Sequence, residues 1–304
     1  MVMRWCGALG CILLLACGPA QGHVAVSQPQ PAEAPGGVRL LIRSDDAGMS
    51  HAVNMATKKV LETGLPVSVS VMFACPWHQE VVEILREYPD VAVGVHLTLN
   101  AEWRYYRWGP IIGREAAPSL VDAHGYFFHS ADDLYRNQPD LDEVERELRA
   151  QIERALATGL RIDYVDYHMG TVSGHAPFRA IVERLGAEYG LGLVGYYGER
   201  RFDPQYRAEP EDKLDSLVAG VGRLTLGYHL LVTHPGLDTP ELAALVDMNQ
   251  AQPLANMSRH RQGELDALTA EAFRAALVRH RVTPITYREL LGSVRSTGPT
   301  SSRR

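Results

Sequence analysis

Residues Val38 to Ser50 have the sequence V-R-L-L-I-R-S-D-D-A-G-M-S, and this segment indicates the architecture most directly. Its apolar run Leu40-Leu41-Ile42 predicts a short buried strand, and an amphipathic helix is predicted directly after it. Two adjacent acids, Asp45 and Asp46, therefore lie where a strand stops and a helix is about to start. Ligands and catalytic groups gather at that edge in α/β proteins. Because Asp is also favoured in turns and helix caps, this segment alone leaves a structural role for both acids open.

The composition is that of an ordinary globular protein, with 304 residues, 46% hydrophobic and 22% charged. This length suits one large domain or two smaller ones. The net charge is −6 and the sequence has no basic block. Nucleic acid is therefore not expected as a partner, because phosphate binding needs clustered Lys and Arg.

The first 25 residues have the features of an export signal. Arg4 supplies the positive charge, and the apolar run from Cys6 to Ala16 is too short to span a bilayer comfortably. The run ends in L-L-A-C, which is similar to the cleavage box of bacterial lipoproteins. We therefore expect a lipoprotein-type signal over residues 1–25, with Cys17 lipidated and the protein anchored to a membrane. The alternative is a plain secretory signal, and both predict an exported, periplasmic or membrane-anchored protein.

Three further regions follow the signal. Residues 26–37, rich in Pro and Ala, are predicted to be a flexible linker, residues 38–295 the folded domain, and residues 296–304 a polar tail. Cys75 is the only cysteine of the folded part, so no intrachain disulfide is predicted there.

Strand and helix patterns alternate along the folded part. Strands are predicted over the alternating run Val67–Met72, the apolar run Val91–Asn100, and the segments Leu191–Tyr196 and Gly227–Thr233. Asp140–Thr158 predicts a long amphipathic helix, and the charged region Tyr206–Gly222 is ambiguous. Repetition of this pattern predicts one α/β unit with mostly parallel strands. For about 250 residues, a distorted TIM-like (β/α) barrel suits the length better than an open sheet.

Polar residues follow or interrupt four predicted strands: Asp45-Asp46, His96, His168 and His234. In a parallel barrel the carboxyl ends of the strands meet at one rim, so these side chains should converge. One Asp and two His make a three-ligand set for a divalent ion that leaves positions for water. Such an ion would lower the pKa of a bound water, a second carboxylate could take its proton, and a further His could protonate a leaving group. Each histidine alone could equally be a core or turn residue.

Two other features belong near this site. Asp166 lies two residues before His168 and is expected to orient it. The segment Asn100–Pro118, which contains E-W-R-Y-Y-R-W-G-P at 102–110, has neither helical nor strand periodicity and is predicted to be a loop, which could simply be a hydrophobic lid. Its aromatic rings can also stack on sugar faces while an arginine bonds hydroxyls; the residues predicted to bind substrate are Trp103, Arg104, Tyr105, Tyr106 and Trp108.

In order and spacing, several motifs resemble the YdjC-like (ChbG/HpnK) carbohydrate deacetylases. They are S-D-D-A-G at 44–48, G-V-H-L-T-L at 94–99, D-Y-H-M-G at 166–170, T-H-P-G at 233–236, R-x-x-E-L at 261–265 and I-T-Y-R-E-L at 285–290. The resemblance covers nearly the whole folded part. It implies a distorted TIM-like barrel, one divalent metal ion (Mg or Zn), and hydrolysis of an N-acetyl group from an amino sugar or oligosaccharide.

Site roles also follow from the resemblance. It implies that Asp46, His96 and His168 bind the metal, that Asp45 is the base for the metal-bound water, and that His234 protonates the departing amine. The order of the two acids is assigned by analogy with NodB-type deacetylases and could be reversed. Many members have D-S-H-x-H-x-H where this chain has D-Y-H-M-G-T-V, so we expect a pocket shaped for a different glycan.

Two other functions are compatible with the same residues. One is a different metal-dependent hydrolase, such as a phosphoesterase or another amidase. The other is a glycan-binding lipoprotein that has lost catalysis, which the intact set of acids and histidines argues against.

Overall fold

The computed structural model describes residues 36–249 and 256–297, with side chains described up to residue 294. The predicted signal, including Cys17, nearly all of the linker and most of the tail lie outside these residues. Cys75 is a free, buried thiol. Within the described part, no helix combines the length and apolar character needed to cross a membrane.

Strands and helices alternate along the described chain. The strands are β1 (Val38–Ala47), β2 (Ser68–Val71), β3 (Ala92–Leu97), β4 (Ile162–Tyr167), β5 (Gly192–Leu193), β6 (Arg200–Arg201), β7 (Gly227–Thr233) and β8 (Val282–Ile285). The helices are α1 (His51–Glu62), α2 (His78–Arg86), α3 (Ala131–Arg136), α4 (Leu141–Ala157), α5 (Ala176–Tyr189), α6 (Lys213–Val221), α7 (Pro240–Ala243), α8 (Met257–Thr269), α9 (Glu271–Arg279) and α10 (Tyr287–Thr297).

The strands form one sheet in the order β5-β4-β3-β2-β1-β7-β6, and β8 pairs with β1 off this path. Every strand pairing in it is parallel. The sheet curves into a half-barrel surrounded by helices, which confirms the predicted α/β fold and its distorted TIM-like barrel. Parallel strands direct their carboxyl ends to the same edge, so the residues that follow β1, β3, β4 and β7 lie on one side of the molecule.

Strand β1 lies at the centre of this sheet. It pairs with β7 from Val38 to Ser44, with β8 from Val38 to Leu41, and with β2 from Arg43 to Ala47. Its apolar residues are fully buried on both faces: Leu40 and Ile42 belong to the larger core cluster and Leu41 to a second one. Burial on both faces explains why the strand has a continuous apolar run.

The strand is longer than the sequence predicts. It continues through both acids to Ala47, whereas the apolar run alone predicts a strand that ends before them. In contrast, the strand predicted over Leu191–Tyr196 is only the two residues of β5. The charged region Tyr206–Gly222, which has no clear pattern, contains helix α6.

Gly94 in β3 allows a close approach that supports the site. A Cβ atom at this position would lie 2.2 Å from Cε2 of Tyr164. The Tyr164 hydroxyl is in turn 2.9 Å from Ser70 Oγ, and Ser70 Oγ donates a hydrogen bond to Asp166 at 2.9 Å. The missing side chain therefore lets a fully buried tyrosine reach a hydrogen-bond network that ends at a site carboxylate.

We expect Gly94→Ala to lower the free energy of unfolding by roughly 1–3 kcal/mol or more, because the methyl group overpacks the Tyr164 ring. Urea denaturation would measure this change. Gly292→Ala is the matched control, since a Cβ at this position in α10 meets nothing within 4 Å. It should leave stability unchanged or raise it by about 0.5–1 kcal/mol. Equal stability of the Gly94→Ala and Gly292→Ala proteins would contradict the packing described here.

Candidate metal centre

The acid pair is placed by an irregularity at the end of β1. The pairing of β1 with β2 shifts register between Ser44 and Ala47, and Asp46 has a φ of 64°. Such a bulge re-aims side chains that would otherwise alternate between the two faces of a strand. The N-cap of α1 is Ser50, whose side chain accepts a hydrogen bond from the Val53 N–H. Neither acid caps this helix, so both are available for another role.

Three potential metal-binding atoms converge at this point. Asp46 Oδ1 lies 3.3 Å from His96 Nε2 and 3.2 Å from His168 Nδ1, and the two nitrogens are 3.4 Å apart. All three side chains are buried, yet Asp46 Oδ1 makes no hydrogen bond within the described structure. The nearest polar neighbours of this oxygen are the two ring nitrogens, and a buried carboxylate oxygen that faces two imidazole nitrogens is suited to a shared cation. The donor set therefore fits one divalent metal ion.

The other oxygen of Asp46 is bound by an arginine from the far end of the chain. Arg261 Nη2 in α8 donates to Asp46 Oδ2 at 2.6 Å, and its guanidinium lies over the Trp103 ring, 5.6 Å from the centroid. Burial raises the pKa of Asp46, but Arg261 and the two histidines hold it well below its usual range. Asp46 is therefore ionised, with one oxygen engaged by Arg261 and the other facing the imidazoles.

Each imidazole has a carboxylate on its outer nitrogen. His96 Nδ1 is 3.0 Å from Asp166 Oδ1, and His168 Nε2 is 2.9 Å from Glu102 Oε2. Burial lowers the pKa of His96, but Asp166 and Asp45 raise it to about 10. Burial likewise lowers the pKa of His168, but Glu102 and Asp46 raise it to about 9.

Asp166 therefore orients a different histidine from the one predicted. The sequence spacing pointed to His168, but Asp166 is the register partner of His96 in the β3–β4 ladder, which brings their side chains together. His168 lies beyond the strand, in a short 3-10 helix (His168–Gly170) where Met169 has a φ of 54°. That turn carries the His168 ring away from Asp166 and towards Glu102.

Asp45 lies beside the three converging atoms but is engaged differently. Both of its oxygens accept hydrogen bonds of 2.6 Å from Arg43, and Arg43 Nη1 also lies 2.9 Å from Asp166 Oδ2. Asp45, His96 and Asp166 are close enough together to hold a second ion, but the Arg43 guanidinium already binds both carboxylates. This geometry favours Asp46 over Asp45 as the metal-binding acid.

His234 follows β7 and is partly exposed. Its backbone N–H donates to Glu264 Oε2 at 2.6 Å, and its ring Nδ1 is 3.8 Å from the same oxygen. Burial raises the pKa of Glu264, but the hydrogen bond and charge of His234 lower it below its usual value. Glu264 lies one helical turn after Arg261 in α8, so one face of this helix contacts both His234 and Asp46.

The aromatic segment Glu102–Trp108 differs from the prediction in part. Trp103 and Trp108 are 2% and 5% exposed, so their faces are not free to stack on a sugar. Both are fixed by neighbouring groups, because Trp103 Nε1 donates to Met49 Sδ at 3.3 Å and Trp108 Nε1 donates to the Asn100 carbonyl at 2.7 Å. These two indoles form walls of the centre, and the Trp108 ring lies 6.1 Å from that of His168.

The remaining residues of this segment are more accessible. Tyr105 is 82% exposed with the Arg104 guanidinium 5.9 Å from its ring centroid, and the half-buried Tyr106 donates its hydroxyl hydrogen to the Met49 carbonyl. A groove of about 240 Å³ adjoins them, lined by Ser50, Tyr105, Tyr106, Glu241, Leu242, Ala244 and Leu245. Ser50, one of the lining residues, is four residues after Asp46 in the sequence, and the substrate contacts of Arg104, Tyr105 and Tyr106 stay predictions.

Three charged residues of the centre were not identified from the sequence. Arg43 could have been, because it lies two positions before Asp45 on the same strand and so shares its side. Arg261 belongs to a motif that matches the family, but its partner Asp46 is 215 residues away. Glu102 gave no signal apart from being the one acid in an aromatic loop.

Comparison with known proteins identifies the family of this chain. The sequence model of the YdjC-like protein family matches residues 39–279. The chain belongs to the YdjC-like family. A carbohydrate deacetylase of Thermoanaerobacter pseudethanolicus is 30% identical over 218 residues, which cover 67% of this chain and 83% of that protein. One from Vibrio cholerae is 24% identical over 265 residues, 84% of this chain and 98% of that protein.

A higher identity is found over a shorter stretch. A carbohydrate deacetylase of Brevibacillus brevis is 32% identical over 152 residues, and this YdjC-like chain spans only 57% of its length. Among solved structures, a candidate cellobiose-phosphate cleavage protein of Enterococcus faecalis superposes with a TM-score of 0.70 at 24% identity, covering 84% of this chain and 99% of that one. The superposition supports the fold.

Metal affinity should rise with pH. In the metal-free protein both rings are protonated near neutral pH, because their pKa values of about 9 and about 10 lie above it. A metal ion needs the neutral ring, so binding releases protons, each contributing about tenfold in affinity per pH unit. We expect the dissociation constant for Zn²⁺ to fall by roughly ten- to a hundredfold per unit between about pH 6 and 8. Competition with a chelating dye would measure it, and a pH-independent affinity would contradict the protonation described here.

Proposed function

We propose that this protein is a metal-dependent hydrolase that removes N-acetyl groups from amino sugars or oligosaccharides. The observation that carries the proposal is the convergence of Asp46 Oδ1, His96 Nε2 and His168 Nδ1 within 3.2–3.4 Å of one another. The YdjC-like family and the relatives named carbohydrate deacetylases support this choice among metal hydrolases.

In this proposal Asp46, His96 and His168 hold one divalent ion. When bound, the ion supplies Lewis acidity that activates water and polarises the amide carbonyl. Arg261 keeps Asp46 ionised, and Asp166 and Glu102 fix the outer nitrogens of the two imidazoles. Two imidazoles and one carboxylate suit zinc better than magnesium, which prefers oxygen ligands, so zinc is the first ion to test and magnesium the second.

Two residues carry the proton transfers. Asp45 accepts the proton of the attacking water, while the two hydrogen bonds from Arg43 hold its carboxylate in a fixed orientation. His234 donates a proton to the departing amine nitrogen. Glu264 Oε2, 3.8 Å from His234 Nδ1, lies beside the ring and helps to orient it for that transfer.

The substrate lies on the accessible side of the centre. Arg104, Tyr105 and Tyr106 provide a guanidinium and two aromatic rings at or beside the groove that Ser50 and Leu242 also line. Sugars bind such surfaces by placing their apolar C–H faces on the rings. The export signal predicted from the sequence leads us to propose an extracytoplasmic glycan, with Cys17 as the lipid attachment point.

The proposal is tested by Asp46→Asn, which removes a charged ligand while keeping the shape of the side chain. We expect metal affinity and kcat/KM for acetate release each to fall by more than about a hundredfold, since even residues behind the ligands contribute about 10–100-fold. His96→Ala should have the same effect. Acetate released from N-acetylated chito-oligosaccharides and a wider glycan panel is measured with Zn²⁺ or Mg²⁺ added.

Glu115→Gln is the control, because this carboxylate is exposed and contacts only its neighbour Arg114 in the described structure. It should retain full activity. Wild-type protein with metal bound that releases no acetate from the panel would contradict the proposed function. Phosphate or ester hydrolysis by the same protein would favour a different metal hydrolase.

His234→Gln separates proton transfer from metal binding. Because His234 lies outside the three converging atoms, we expect kcat to fall by about 10²–10⁴-fold while metal affinity stays unchanged. Steady-state acetate release together with dye competition measures both quantities. A loss of metal affinity equal to that of Asp46→Asn would instead make His234 part of the metal site.

A further inference from the structure

The backbone of Glu102 is held by a segment that is distant in the sequence. Its carbonyl accepts a hydrogen bond of 2.8 Å from the Met248 N–H, and the next residue, Trp103, forms an antiparallel bridge with Asp247. The Arg104 N–H donates to the Val246 carbonyl at 3.0 Å. Three successive residues are thus paired with residues 246–248, which fixes the direction in which the Glu102 side chain leaves the backbone.

The carboxylate of Glu102 reaches one partner in the centre. Glu102 is 3% exposed and His168 4% exposed, and Glu102 Oε2 lies 2.9 Å from His168 Nε2. The other ring nitrogen, Nδ1, faces Asp46 and His96. A carboxylate on Nε2 keeps a hydrogen on that nitrogen, so the lone pair of the neutral ring is on Nδ1, the nitrogen that points at the converging atoms.

The two carboxylates behind the imidazoles differ in charge environment. Asp166, behind His96, also forms an ion pair with Arg43, whose Nη1 lies 2.9 Å from Asp166 Oδ2, and it accepts a hydrogen bond from Ser70. Glu102 makes its side-chain ion pair with His168 alone among the contacts found within the described residues. Its charge is therefore directed mainly at His168, and charge-assisted hydrogen bonds are about twice as strong as neutral ones.

We propose that Glu102 is a positioning residue that fixes the tautomer and orientation of His168 and thereby sets the affinity of the centre for its metal ion. The proposal rests on the proposed function only in taking the three converging atoms as a metal site. In this proposal the aromatic segment Glu102–Trp108 has two roles. Glu102 points into the centre and holds His168, and the exposed Tyr105 contacts substrate.

The test compares Glu102→Ala with Glu102→Gln. Glu102→Ala removes the partner of Nε2, so the dissociation constant for Zn²⁺ should rise by about 10–100-fold. Glu102→Gln can still accept the hydrogen bond through its amide oxygen but lacks the charge, so its affinity should lie between those of wild type and Glu102→Ala. Dye competition measures Zn²⁺ affinity without any substrate. In both variants, the rate of acetate release should be closer to that of wild type at saturating Zn²⁺ than at limiting Zn²⁺.

Glu147→Ala is the matched control for a purely structural effect. Glu147 in α4 is also a fully buried glutamate, and it accepts hydrogen bonds from the Ile111 and Ile112 N–H groups, so it fixes the chain just beyond the same aromatic segment. We expect Glu147→Ala to lower the thermal unfolding midpoint but to leave Zn²⁺ affinity within about twofold of wild type, because this residue does not touch an imidazole.

The proposal is overturned if Glu102→Ala binds Zn²⁺ as tightly as wild type, or if Glu147→Ala weakens binding as much as Glu102→Ala does. Failure of the proposed function would look different. In that case wild-type protein would bind Zn²⁺, the ordering of the Glu102 variants would persist, and no acetate would be released from any glycan.

Discussion

The centre depends on the buried carboxylate of Asp46, whose two oxygens have different partners, an arginine and a pair of imidazoles. Oδ2 of Asp46 is bound by Arg261, and Oδ1 is left facing His96 and His168. Burying a carboxylate costs several kcal/mol unless its charge is compensated. Because Arg261 belongs to α8, this compensation is complete only when α8 has docked beside the end of β1. Completing the fold and forming the site are therefore the same event.

Much of the architecture could be predicted because parallel strands buried on both faces have apolar runs. The strand predicted at Gly227–Thr233 is β7 without change, and the long amphipathic pattern at Asp140–Thr158 is α4 to within one residue at each end. The two-residue strands β5 and β6 were poorly predicted or missed, because two residues carry no periodicity. The continuation of β1 through Asp46 depends on a bulge with positive φ, which the local sequence does not reveal.

The site could be predicted in outline for the same reason. Strand ends in a parallel sheet share an edge, so Asp46, His96 and His168 could be placed together without knowing any contact. The contacts of their supporting residues could not be predicted, because each contact depends on how distant elements dock. Register alone decides that Asp166 meets His96, and the pairing of the aromatic segment with residues 246–248 decides that Glu102 meets His168. Sequence spacing therefore indicates which side chains converge more readily than it indicates which residues support them.

The position of β1 between β2, β7 and β8 affects how the site opens during local unfolding. Amide hydrogens of a strand paired on both edges exchange with solvent only when the domain opens cooperatively. Asp46 lies in that strand, near its carboxyl end. Glu102 lies in a loop that is held by a few backbone hydrogen bonds to residues 246–248. The two sides of the centre therefore differ in local stability, and transient opening of the closed site should begin at the loop and leave the central strand intact.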